Sequence, residues 1–180
     1  EVNGCMSIND ENIQLTLNGL ADWDQNDTRI DVTMQVNNFK PAALHLTNKN
    51  PDLQLDAITY VSLYTSGTKE ELLDNLNGYI IIDTLKLSNK QHATTIDQIK
   101  VLIDSKFENN LPTRQIRVQS DLVTANLSGA FRYRTLPATI QHLMYAYMPV
   151  LVEQPKQKYP HYTKLDFYAY FRQLDQLTKV

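Results

Sequence analysis

Apolar and polar residues alternate along most of this chain. Between residues 13 and 23, Ile13, Leu15, Leu17, Gly19, Ala21 and Trp23 take one parity. Gln14, Thr16, Asn18, Leu20 and Asp22 take the other. Residues 29–37 set Ile30, Val32, Met34 and Val36 against Arg29, Asp31, Thr33, Gln35 and Asn37. Residues 123–134 set Val123, Ala125, Leu127, Gly129, Phe131 and Tyr133 against Thr124, Asn126, Ser128, Ala130, Arg132 and Arg134. A period of two predicts strands with one dry and one wet face. Shorter runs obey the same rule: Ile99, Val101 and Ile103; Ile116 and Val118; Leu165, Phe167, Ala169 and Phe171. Residues 53–64 are apolar or aromatic on both parities, which predicts a strand covered on both faces, and 2–8 supplies an edge strand.

Polar, turn-forming stretches separate these runs. DWDQNDTR (22–29), SNKQHAT (88–94) and ENNLPT (108–113) read as hairpin connections. Helical signals are few. KEELLDNL (69–76) follows Thr68, a suitable N-cap. TLPATIQHLMYAYM (135–148) has Pro137 in its first turn and Ile140, Leu143, Met144 and Tyr147 at three- and four-residue steps, with Pro149 closing it. A short turn is expected at 41–46. Connections without a helix are too short for parallel crossovers, so the sheet is expected to be antiparallel.

The expected architecture is mainly β: a curved antiparallel sheet, a gutter or half-pipe with an apolar concave face, and one or two short helices. Residues 1–152 form this unit, with its helix near 135–148. The proline-bearing, polar stretch 153–164 reads as a linker or long loop, and 165–180 as a strand beginning a further unit. The gutter follows from a repeated phrase. NLNGYIIIDTL (75–85) returns as NLSGAFRYRTL (126–136), with a shorter echo in TLNGLADW from Thr16. Glycine inside a strand is kept where the strand bends or another backbone comes close. Bends at matching points of successive strands would curl the sheet along a line. Leu15, Leu17, Ile30, Val32, Met34, Ile80, Ile82, Leu127, Phe131 and Tyr133 are then the candidate groove-lining residues.

Composition narrows the functional classes. The chain has 180 residues, 42% of them apolar, with net charge −3. It has no basic stripe of the kind that binds nucleic acid. Cys5 is the one cysteine, so neither an internal disulfide nor a cysteine-based zinc site is available. His45, His92, His142 and His161 show no metal-binding spacing. The acidic loop Asp22, Asp24, Asn26, Asp27 lacks the glycine and closing glutamate of a calcium loop, and reads as a solvated hairpin. No serine sits in a nucleophile elbow and no glycine loop is built for phosphate. Catalytic residues, metal and cofactor are therefore not expected, and the chain reads as a non-enzyme. The aromatic group Tyr145, Tyr147, Tyr159, Tyr162, Phe167, Tyr168, Tyr170 and Phe171 reads either as the last helix packed over the last strand or as an amphipathic rim. No apolar stretch approaches the length of a membrane span. The chain starts at Glu1 and reads as a piece of a longer protein or one trimmed of a leader.

Leu72–Leu151 resembles the AsmA-like proteins, in particular the TamB branch of Bacteroidota type. The resemblance is carried by L-x-G-x-I-x-I at 76–82, by IDQIKVLID (96–104), and by QIRVQSDLVTANLSGAFRYRTLPATIQHLMYAYMPVL at 115–151. Residues 13–46 are similar to a further unit of that family. The resemblance implies an interior segment of a periplasmic protein anchored to the inner membrane. It implies an extended hydrophobic groove whose partners are phospholipid acyl chains and an outer-membrane barrel assembly protein. It also implies a role in moving phospholipid between the two membranes and in outer-membrane biogenesis. The alternative reading is a periplasmic β-sandwich module that binds proteins in an assembly machine.

Overall fold

A computed structural model describes residues 1–24, 26–47, 50–68, 71–108, 111–147, 149–150, 154–155 and 164–172. Nine strands follow in chain order: β1 (Val2–Asp10), β2 (Ile13–Trp23), β3 (Asp27–Phe39), β4 (Gln54–Ser66), β5 (Asn77–Ser88), β6 (Ala93–Glu108), β7 (Leu111–Gln119), β8 (Val123–Ala130) and β9 (Lys164–Phe171). Helix α1 (Leu136–Tyr147) lies between β8 and β9. The strands form one open sheet whose spatial order is its sequence order, and every neighbouring pair is antiparallel. The mainly β, antiparallel expectation is what the chain adopts. β9 pairs with β8 from Val123↔Phe171 to Ala130↔Lys164, so the sheet runs on across the 153–164 stretch, most of which lies outside the described residues.

Register sorts the side chains. Partners across an antiparallel pair share a face, so each row can be followed from strand to strand. One row runs Gly4, Gly19, Val32, Val61, Ile80, Val101, Val118, Ala125, Ala169. The next runs Val2, Ala21, Ile30, Leu63, Gly78, Ile103, Ile116, Leu127, Phe167. On the opposite face one row runs Asn18, Thr33, Tyr60, Ile81, Lys100, Gln119, Thr124, Tyr170. One face is thus apolar across the whole sheet and the other mostly polar.

Three irregularities keep the apolar face in phase. The β4–β5 register slips between Ile58 and Thr59, so Ile82 and Leu85, not Thr84, stand on the apolar face. On β6, Gln98 takes a left-handed φ of 46°, and Ile96 and Ile99 likewise share that face. An extra residue in a strand is the usual means of re-aiming its side chains. At the β3 end, Asn38 (φ 53°) does the same between Val36 and Phe39.

Three local expectations are corrected. Residues 71–75 form a turn, not a helix. Asn75 Nδ2 donates to the Ser66 carbonyl at 2.8 Å, closing a tight link between neighbouring strands. A segment this short cannot repay helix nucleation. β4 is not covered on both faces, since Tyr60 and Tyr64 are exposed on the polar side. β8 ends at Ala130, so Phe131 and Tyr133 lie outside the strand predicted to 134. Helix α1 forms where the 3–4 spacing predicts it.

The glycines of the repeated phrase carry the expected constraint. Gly78 has φ 134° and Gly129 φ 142°. A Cβ on Gly78 would stand 2.0 Å from the Ser62 carbonyl oxygen, and one on Gly129 1.9 Å from that of Lys164. Gly19, in the third echo, is tightly enclosed by Val32 and Asp31 but lacks a left-handed φ. Gly78 opens β5 and Gly129 nearly closes β8. The two strands run in opposite directions, so both glycines sit at the same end of the sheet.

Candidate functional site

The candidate site is the apolar face. Many of its members are β-branched or leucine residues, in strands that pair through nine to eleven register positions each at the β1–β4 end. Among the described residues no second sheet covers it. The buried apolar side chains among the described residues are Val36, Ile96, Leu122 and Phe131. The accessible surface is 12,677 Å². A compact globule of this mass would expose roughly 8,900 Å². The sheet therefore keeps apolar area in contact with solvent that a sandwich would close.

Eight of the ten sequence-predicted lining residues come together on this face: Leu15, Leu17, Ile30, Val32, Met34, Ile80, Ile82 and Leu127. Leu17 faces Met34, Val61 sits between Val32 and Ile80, and Ile30 and Leu127 fall in one row. Where Gly4 and Gly19 meet, side chains are missing from two strands at once. A hollow of about 280 Å³ opens there, walled by Val2, Met6, Leu17, Ala21 and Val32.

Phe131 and Tyr133 do something different. They close one end of the face, together with residues that strand periodicity did not single out. Arg114 stands on the apolar face of β7, opposite Ser105 and Gly129. Its Nε donates to the Asp74 carbonyl at 2.7 Å and its Nη1 to the Phe131 carbonyl. The Asp74 carboxylate lies 4.0 Å from Arg114 Nε and 3.9 Å from Arg132 Nε, and accepts the Tyr133 amide at 2.8 Å. The Tyr133 ring meets Phe131 edge-on at 5.5 Å and lies 5.9 Å from the Arg114 guanidinium. Its hydroxyl is 3.4 Å from Ser105 Oγ, which donates to the Leu76 carbonyl at 2.8 Å. Burial pushes the Tyr133 phenol above its usual value, only partly offset by the Ser105 hydroxyl and the Arg114 charge. One signal for this corner was present in the sequence: Arg114 occupies the parity that Ile116 and Val118 mark as dry.

The polar face carries hydrogen-bonded ladders. Ser62 Oγ donates to Asp31 Oδ1 at 2.6 Å and Arg29 Nε to Asp31 Oδ2 at 2.6 Å. The Ser62 hydroxyl, opposed by desolvation and helped by Arg29, holds the Asp31 carboxyl below its ordinary value. Gln115 Nε2 donates to Asn126 Oδ1 at 2.6 Å across β7 and β8. Of the aromatic group, Tyr147, Phe167, Tyr168, Tyr170 and Phe171 are exposed, so the helix does not seal the last strand as core. Tyr159 and Tyr162 lie outside the described residues.

No protein family, curated protein or solved structure matches this chain. No helix among the described residues is long and apolar enough to cross a membrane.

Proposed function

We propose that this chain is an interior segment of a periplasmic AsmA/TamB-like protein whose apolar sheet face conducts phospholipid acyl chains. One observation carries the reading: a nine-stranded sheet with a continuous apolar face and no second layer over it among the described residues. Each methylene kept from water is favoured by about 0.8 kcal/mol without any directional contact. A face of aliphatic side chains offers that gain evenly, so a chain can slide without a deep trap. Nine strands leave eight gaps of about 4.8 Å, a track of roughly 38 Å. Head groups stay at the solvent side. No bond is made or broken, and the segment acts as a non-enzyme.

In this reading the whole protein is anchored to the inner membrane, and it serves phospholipid movement and outer-membrane biogenesis with a barrel assembly protein as partner. The sandwich alternative seals dry faces against each other, whereas here one sheet holds all nine strands. Photo-crosslinking tests the reading. A crosslinker at Val32 or Ile80 is expected to capture phospholipid, and one at Thr33 or Lys100 on the opposite face is not. Val32→Asp with Ile82→Asp should abolish capture while preserving the circular dichroism of the sheet. Equal capture from both faces, or none from either, overturns it.

A further inference from the structure

Helix α1 turns its apolar stripe outward. Among its described side chains the fully enclosed one is Thr139, whose hydroxyl donates to the Thr135 carbonyl at 3.1 Å. Ala138, His142 and Tyr145, on the same flank as Thr139, are half-buried. Ile140, Met144 and Tyr147 recur at steps of four and three and so share the other flank. They are 40%, 38% and 82% exposed, and Val150 just beyond is 94% exposed. A surface helix ordinarily points its apolar stripe at the core and its polar side at water. This one does the reverse.

Two further features say what covers the stripe. Residues 135–150 contain no Asp, Glu, Lys or Arg, so nothing charged must be desolvated when the stripe is buried. Arg132 and Arg134, immediately before the helix, are exposed cations. An uncharged apolar and tyrosine-bearing flank with cations at one end matches the headgroup region of an anionic bilayer. The helix follows β8 in the chain, with five residues between the strand's end at Ala130 and Leu136.

We propose that α1 docks on an anionic phospholipid bilayer. Ile140, Met144, Tyr147 and Val150 enter the acyl boundary, while Arg132 and Arg134 face phosphates. The proposal rests on the lipid reading for its purpose, supplying the point where an acyl chain passes between bilayer and sheet. Its evidence is separate. The test is flotation of the purified chain with phosphatidylethanolamine–phosphatidylglycerol vesicles. The unaltered chain should float, and Ile140→Asp with Met144→Asp should lower the bound fraction about tenfold or more. Both side chains are already exposed, so the circular dichroism spectrum should not change. Tyr147→Asp, at the helix end, provides a second variant and should weaken binding in the same direction.

Val32→Asp separates the two ideas. It should lose acyl crosslinks yet float as the unaltered chain does, whereas the helix variants should float poorly yet still crosslink lipid supplied in micelles. An unaltered chain that does not float, or helix variants that float equally well, overturns the docking proposal and leaves the groove standing. A dimer that the helix substitutions dissolve, with no vesicle binding, assigns the stripe to a second copy and overturns it too.

Discussion

The corner around Arg114 and the middle of the sheet are built by opposite means. At the corner, β5, β7, the 71–76 link and the segment after β8 enclose Phe131, and each polar atom described there finds a partner. In the middle, Val32, Val61 and Ile80 lie in register with no second sheet over them among the described residues, and the strands are held by their hydrogen-bonded ladders and same-face neighbours. Elsewhere among the described residues, the buried apolar side chains of the sheet are Val36 and Ile96, which share one register row at its opposite end. The sheet is stable as a surface, and its apolar side remains available for contact.

Substitutions should separate the two regions. Phe131→Ala empties an enclosed position and is expected to cost about 3–5 kcal/mol. Ile30→Ala, on the uncovered face, should cost only about 1 kcal/mol. Urea midpoints for the two variants measure the gap, and equal losses would mean the face is covered. The glycines sharpen the same contrast. Gly78→Ala forces a methyl against the Ser62 carbonyl in a left-handed backbone and should cost about 2–3 kcal/mol. Gly4→Ala, where a Cβ meets nothing within 4 Å, should be neutral or stabilise by up to about 1 kcal/mol.

The smallest effect is in pH. Tyr133 has its folded value raised, so its contribution is fully present below the ordinary phenol value of 10.0 and is lost as pH climbs through the higher folded value. Tyr133→Phe should therefore flatten the alkaline fall in melting temperature. An unchanged alkaline limb would remove the phenol from the account.

Much of the sheet was legible because a period of two has one structural meaning over eight or more residues. Residues 13–23 and 29–37 alternate cleanly, and both strands formed where the pattern lies. The face assignment of eight lining residues followed from parity alone. Parity fails where a strand takes an extra residue. Nothing in DTL or IDQI marks Asp83 and Gln98 as the places where the count slips. Phe131 and Tyr133 continue the alternation of β8, but the chain leaves the sheet there. The cause is long-range: the buried guanidinium of Arg114 takes the Phe131 carbonyl, and Asp74 takes the Tyr133 amide. Local pattern carries no trace of a partner 17 or 59 residues away. The repeated phrase was legible in its chemistry but not in its place. Two strands lie between its two copies, so the copies run in opposite directions and one glycine begins a strand while the other nearly finishes one.

Because every strand touches only its neighbours in the chain, the architecture is modular along a single axis. Excising or duplicating one hairpin would shorten or lengthen the sheet by two steps while preserving which side is oily. Length in such a protein can therefore change by whole hairpins with no redesign of an interior.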